Sequence, residues 1–406
     1  MAVFQAAYLV LSVLFSVLSG GALMGAFVPV FVRLGGGERK PAALSFITAA
    51  GMVVAAGLAL VSVLLFLFAP EVARLIASGF LPREQAQMVT LLRLMLPMLF
   101  FHGVASLFGA ALVSNGRLAS AGLAPALQPV VGLVVLFLFS SSWGVPALAS
   151  GLVVGVVLQA VVLLPVLSSA GIFPAAPAGA PAGSVREFMR EYLFAALAHT
   201  AFSALLLANQ AIAGSLSARD LAVFAFGNKL VMLVLAFLTT VAANVALPHF
   251  SRIAWQGGPS AAWQTVVALT RRFFLPLVVA ACLWALGSTG IVTILYARNS
   301  FTAADVALVA SVQRWFVFQL PFYVIGVICW RMHNALGHNR VLVVASLAAL
   351  AVAPLVAWPT SRLWGVQAIA AAHSLAIVIW TVVLVAALYL PYLRSLRIDH
   401  DSKPTG

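Results

Sequence analysis

Three basic side chains fall inside long apolar stretches of this 406-residue sequence: Arg93, Lys229 and Arg314. A cation in the hydrocarbon region of a bilayer costs a few kcal/mol even on lenient insertion scales, so it normally faces a partner or a water-filled cavity. Lys229, in Phe226-Gly-Asn-Lys-Leu230, sits about ten residues into its stretch. The chemistry open to it is electrostatic: a fixed ammonium can hold an anion. Arg93 and Arg314 lie nearer the ends of their stretches, where the guanidinium can snorkel to the interface. Snorkelling or a structural pairing is the competing reading for all three.

The acids complement this picture. Glu38, Glu71, Glu84, Glu187, Asp220, Asp305, Asp399 and Asp401 fall in loops or at stretch ends, and Glu191 lies about one turn inside. An ion-coupled exporter of cationic compounds would use a mid-membrane carboxylate, so a cavity here suits anions. Asn209-Gln210, Gln128, Gln159 and Asn244 either line a wet path or bridge helices. His102, His199, His249 and His373 have no His or carboxylate at i+4 and read as packed histidines, so no metal and no cofactor is expected. Phosphate-loop, zincin and nucleophile-elbow motifs are missing from the sequence. A catalytic reading is therefore not favoured.

The elements that must position these groups follow from composition. Hydrophobic residues make up 64% of the chain and charged residues 8%, against about 25% charged in soluble domains. Such a chain cannot cover a globular surface in water. Eleven apolar stretches, near 3–32, 42–69, 86–112, 119–140, 145–169, 187–216, 220–251, 262–287, 303–333, 341–358 and 364–392, are each 18 to 32 residues long, against the roughly 20 a helical span needs. The expected fold is an all-α polytopic membrane protein of about 11 helices in two pseudo-symmetric lobes. The net charge of +13 does not point to nucleic acid, because the basic residues cluster in loops. Placing the 33–41 loop in the cytoplasm puts 14 of the 22 basic residues on that side, Arg331 and Arg340 among them, and predicts a cytoplasmic C-terminus. Cys282 and Cys329 lie in apolar stretches and read as small buried hydrophobes.

The sequence also repeats itself. Ala26-Phe-Val-Pro-Val-Phe-Val-Arg33 recurs as Val245-Ala-Leu-Pro-His-Phe-Ser-Arg252, Arg93 with Pro97 recurs as Arg314 with Pro321, and Arg117 recurs as Arg340. A near-constant offset predicts two related halves crossing the membrane in the same direction. The expected division is an N-terminal lobe at 1–172, a Pro/Ala/Gly-rich linker at 173–185, a C-terminal lobe at 186–393 and a cytoplasmic tail at 394–406. The span at 187–216 has no counterpart before Met1, which predicts a lost first helix or a start site placed too late.

Four segments then carry a resemblance: Gly21-Ala-Leu-Met-Gly-Ala-Phe-Val-Pro-Val-Phe31, Ala105-Ser-Leu-Phe-Gly-Ala-Ala111 through Ala124-Pro125, Asn209 through Gly227-Asn-Lys-Leu230 to Leu247-Pro-His-Phe-Ser-Arg252, and Leu295-Tyr-Ala-Arg-Asn-Ser-Phe-Thr-Ala-Ala-Asp305. In this order they resemble the MurJ/MviN lipid II flippases of the MOP superfamily. The resemblance implies a two-lobed bundle whose cationic cavity opens alternately to each face of the bacterial inner membrane. It also implies a polyprenyl-pyrophosphate-linked glycan as substrate, with the bilayer and cell-wall or polysaccharide synthesis enzymes as partners. Lys229 stands where the family usually has Arg, and Asn228 where it has an acid. The implied substrate contacts are Lys229 and Asn228, aided by Arg93 or Arg314, with Asn209 and Gln128 on the glycan path. Departures are clear too: Phe15-Ser-Val-Leu-Ser-Gly-Gly-Ala22 lacks the family's Arg and Glu, and Met232 replaces an acid. Another lipid-linked oligosaccharide (exopolysaccharide or O-antigen), a non-transporting scaffold and a polytopic glycan transferase stay open as rival readings.

Overall fold

The computed structural model describes residues 2–18, 21–35, 40–76, 80–172, 179–297 and 301–401. Every regular element among them is helical. This is what lipid demands, since helices satisfy their backbone hydrogen bonds within the segment. Among the described residues, ten helical segments are long and apolar enough to cross a membrane. Within the stretch expected as one first span, the described residues form α1 (Ala2–Leu18) and α2 (Gly21–Arg33), and the two residues between them lie outside the described residues.

The chain forms two compact units, Met1–Ala196 and Leu197–Gly406. The first holds α1, α2, α3 (Pro41–Leu67), α4 (Ala69–Ile76), α5 (Pro82–Met95), α6 (Pro97–Ser114), α7 (Leu118–Leu123), α8 (Leu127–Trp143), α9 (Val145–Ser169) and the start of α10 (Ser184–Leu216). Residues 173–178 of the expected linker lie outside the described residues. Helix α6 is central and packs against α1, α2, α3 and α9. Its small residues Gly103, Ala105, Ala110 and Ala111 are buried, which lets neighbouring backbones approach closely without a hydrophobic force between helices. An aromatic cluster closes one end of the unit: Phe27 stacks on Phe46 at 5.4 Å, and Phe188 meets Phe46 edge-on at 6.0 Å. Beside it Arg33 forms a two-pronged ion pair with Glu187.

The second unit holds the rest of α10, α11 (Ala218–Tyr296, broken at Gly258), α12 (Ala303–Phe318), α13 (Leu320–Leu336), α14 (Asn339–Trp364) and α15 (Val366–Asp401). Helix α11 lies along α12 and α13, and α15 packs on α12, α13 and α14. Arg219 pairs with Asp305 at 2.6 Å, so α11 and α12 start at the same level. Asp305 also closes a capping box with Thr302 at the α12 N-terminus.

The internal repeat recurs in the backbone. Gly144, between α8 and α9, has φ 59° and ψ −131°, and Gly365, between α14 and α15, has φ 61° and ψ −148°. They lie 221 residues apart, inside the range of offsets between the matched sequence pairs. A Cβ is strained in this region of backbone space, which glycine reaches freely. Gly144→Ala and Gly365→Ala are therefore each expected to lower stability by about 1–3 kcal/mol. Thermal unfolding of the purified variants checks this, and unchanged melting would contradict the backbone assignment.

Candidate functional site

Helix α11 opens at Ser217, whose hydroxyl accepts from the Asp220 amide at 3.0 Å. Three turns on, Gly227 lets α11 approach α12 closely: a Cβ there would lie 2.7 Å from Val312 Cγ1. Phe224 meets Phe316 of α12 edge-on at 5.0 Å. These contacts fix the rotation of α11. Val223, Phe224, Gly227, Asn228 and Val231 face inward and are buried, while Phe226, Lys229, Leu233 and Phe237 face outward and are exposed. Lys229 thus projects from an apolar helix face, and among the described residues it has no hydrogen-bond or ion-pair partner. Among the described residues, the carboxylates are engaged elsewhere. Glu71 pairs with Arg74, Glu187 with Arg33, Glu191 with Arg190 and Asp305 with Arg219. Glu84 caps α5 and Asp220 caps α11.

Asn228, its neighbour, points the other way. It is buried, and its Oδ1 has no partner among the described atoms. On the facing helix Gln313 is fully buried with both amide atoms unpartnered. Deeper in the unit, Asn209 of α10 donates from Nδ2 to the Leu205 carbonyl at 2.9 Å, and the same nitrogen lies 3.1 Å from Nδ1 of His373 on α15. The His373 ring packs edge-on against Phe316. Asn209 is therefore a bridge between helices in the core of the second unit. Buried amides without partners are rare in native proteins, and each calls for a water or ligand. Gln313 escaped sequence reasoning because one glutamine in an apolar run carries no signal of its facing.

Arg93 and Arg314 play matching parts in the two units. Arg93 Nε donates to the Phe66 carbonyl at 3.2 Å, and the guanidinium lies 4.6 Å from the Phe66 ring centroid. Arg314 Nε donates to the Ala285 carbonyl at 3.3 Å and its NH2 group to Thr289 Oγ1 at 2.9 Å. Both guanidiniums already tie one helix to another. Gln128 begins α8 in the first unit and is partly buried, its backbone pressed against Gly155 of α9. The first unit also has an apolar groove of about 470 Å³ between α3, α6 and α9, lined by Gly51, Val54, Leu107 and Leu164, with no charged side chain in its wall. Among the described residues, Asn228 and Gln313 are buried on the facing helices α11 and α12, while Lys229 projects away from both. Arg314 is committed to α11, and Arg93 and Gln128 belong to the other unit.

The sequence profile of the family described as "Lipid II flippase MurJ" matches residues 1–397. The chain is 24% identical to the "Probable lipid II flippase MurJ" of Bdellovibrio bacteriovorus over 386 residues, 92% of this chain and 73% of the relative. In fold it is similar to a MOP superfamily transporter from Pyrococcus furiosus, with TM-score 0.82, 12% identity, and coverage of 96% of this chain and 87% of that one. It is also similar to lipid II flippase MurJ in an inward closed conformation, with TM-score 0.60, 15% identity, and coverage of 100% and 87%. At these identities the solved structures establish the fold.

Proposed function

We propose, because the chain belongs to the lipid II flippase MurJ family, that it moves a polyprenyl-diphosphate-linked glycan across the membrane by alternating access and that Lys229 is the cation holding the diphosphate. The chain is a multi-pass protein of the bacterial inner membrane, and its family is one of transporters. The observation that carries the assignment to Lys229 is its ammonium, without a partner among the described residues, on an otherwise apolar face of α11. A diphosphate has formal negative charge, and the attraction between opposite charges grows as water is excluded from around them. Gly227 supports this role by seating Asn228 inward against α12, which leaves the lysine as the outward polar group of its turn.

The excess of Arg and Lys in the loops on the 33–41 side supports a cytoplasmic C-terminus. The substrate would then be loaded from the cytoplasm and delivered outside for peptidoglycan synthesis, beside the enzymes that consume it. Reconstitution of the purified chain into vesicles containing a fluorescent lipid II analogue tests this reading. Transport predicts movement of the label between leaflets at unchanged mass. A changed mass would make the protein a transferase, and no movement at all would make it a scaffold. Substituting a lipid-linked O-antigen unit for lipid II tells which glycan is preferred.

A further inference from the structure

We propose that Arg331, with His199 and Tyr323, forms a second phosphate-binding site inside the C-terminal unit, separate from Lys229. Arg331 lies in the last turns of α13. Its side chain is partly buried, its Nε is shut off from solvent, and that Nε has no hydrogen-bond partner. Among the described residues no carboxylate pairs with it. The titratable groups near enough to feel its charge are Tyr323, two turns earlier on α13, and His199 of α10. His199 is held in place by Trp330, whose ring it meets at 4.9 Å, and its Nε2 is also buried and unpartnered. Phe202 and Trp380 continue the aromatic wall, with ring centroids 4.8 Å apart.

A guanidinium withdrawn from water without a counter-charge costs several kcal/mol, which is recovered only if an anion completes it. Its planar fork of donors fits two oxygens of one phosphate. Two buried nitrogens from different helices, both lacking partners, mark where those oxygens would sit. The position along the membrane differs from that of Lys229. From the Arg219–Asp305 pair, Lys229 is ten residues along α11 and Arg331 is 26 residues beyond Asp305. At 1.5 Å per helical residue these are about 15 and about 39 Å. Lys229 is thus near mid-membrane and Arg331 toward the end of the unit that carries the Gly337 turn. Two sources share this chemistry, the diphosphate of the transported lipid and the headgroup of an anionic phospholipid. The transport reading bears on the inference only in naming the first of these.

The test uses the full chain in a phosphate-free glycosidic detergent, with Lys229→Ala as background so that binding at the first cation is removed. Inorganic pyrophosphate is titrated calorimetrically, and short-chain phosphatidylglycerol is added as competitor. Arg331→Gln is expected to weaken pyrophosphate binding at least tenfold while leaving the melting temperature equal or higher, because a partly buried charge with no carboxylate partner among the described residues is removed. Arg331→Lys, which keeps the charge and loses the fork, is expected to weaken it several-fold. Displacement by phosphatidylglycerol assigns the site to lipid headgroups, and resistance to displacement assigns it to the substrate diphosphate. Unchanged affinity in Arg331→Gln overturns the inference, and should that variant not fold, unchanged affinity in Arg331→Lys does so. A wild-type protein that binds pyrophosphate through Arg331 yet moves no lipid-linked glycan overturns only the transport reading.

Discussion

Lys229→Ala is expected to lower the transbilayer movement of a lipid II analogue by roughly 10- to 150-fold, the kinetic equivalent of the about 1.5–3 kcal/mol that a hydrogen bond to a charged group contributes. Folding should be nearly untouched, because the side chain is exposed and has no partner among the described residues. Exposed substitutions of this kind usually stay within about 0.5 kcal/mol. Lys229→Arg keeps the charge and should keep most of the transport. The contrast is Arg314→Ala, which removes the bonds to the Ala285 carbonyl and Thr289. That change should cost about 1 kcal/mol of stability, with a smaller effect on transport. Initial rates in vesicles, set beside melting curves of the same preparations, separate the two. Equal transport by Lys229→Ala and wild type would remove Lys229 from the site.

The largest effect on folding is expected from Gly326→Leu. A Cβ at Gly326 would lie 2.1 Å from Trp380 Cζ3, 2.6 Å from Cε3 and 2.7 Å from Thr381 Oγ1. Trp380 is fully buried, with Phe202, Tyr323 and Trp330 around it, and Thr381 is fixed by its bond to the Phe322 carbonyl at 2.8 Å. The indole therefore cannot swing away, and α13 would have to leave α15. Overpacking costs typically about 1–3 kcal/mol, and a contact this short belongs above that range. The variant should fail to yield folded protein in detergent. Pairing Gly326→Ala with Trp380→Leu should recover part of the loss, since the second change makes room for the first. If Gly326→Leu melted like wild type, the close approach of α13 and α15 would be refuted.

The fold was legible where physical chemistry leaves few choices. Apolar runs of span length can only be helices in lipid, and the paired Pro and Arg positions announced a repeat that Gly144 and Gly365 carry into the backbone. Side-chain facing was largely illegible. A helix that is apolar all round gives no amphipathic stripe from which to read its inward side. Lys229 stood out because charge is rare in such a helix, but its outward direction is set by the contact of Gly227 with Val312. Arg93 and Arg314 are also cations in apolar stretches, and the bonds they make to neighbouring helices set them apart from Lys229. Arg331 was masked by its nearness to Arg340, which made it look like one more basic residue of a loop end. Its neighbour Trp330 meets His199 of α10, more than a hundred residues away in sequence.

The central claim is that a fixed positive charge in this membrane bundle recognises the diphosphate of a lipid-linked glycan. Its most direct test is the initial rate of leaflet exchange, in vesicles containing only this protein, for two probes with the same glycan and polyprenyl chain. One probe carries the diphosphate and the other a neutral linkage. The account predicts rapid movement of the diphosphate probe, little movement of the neutral one, and loss of that preference in Lys229→Ala. Equal rates for both probes in the wild-type protein would contradict it.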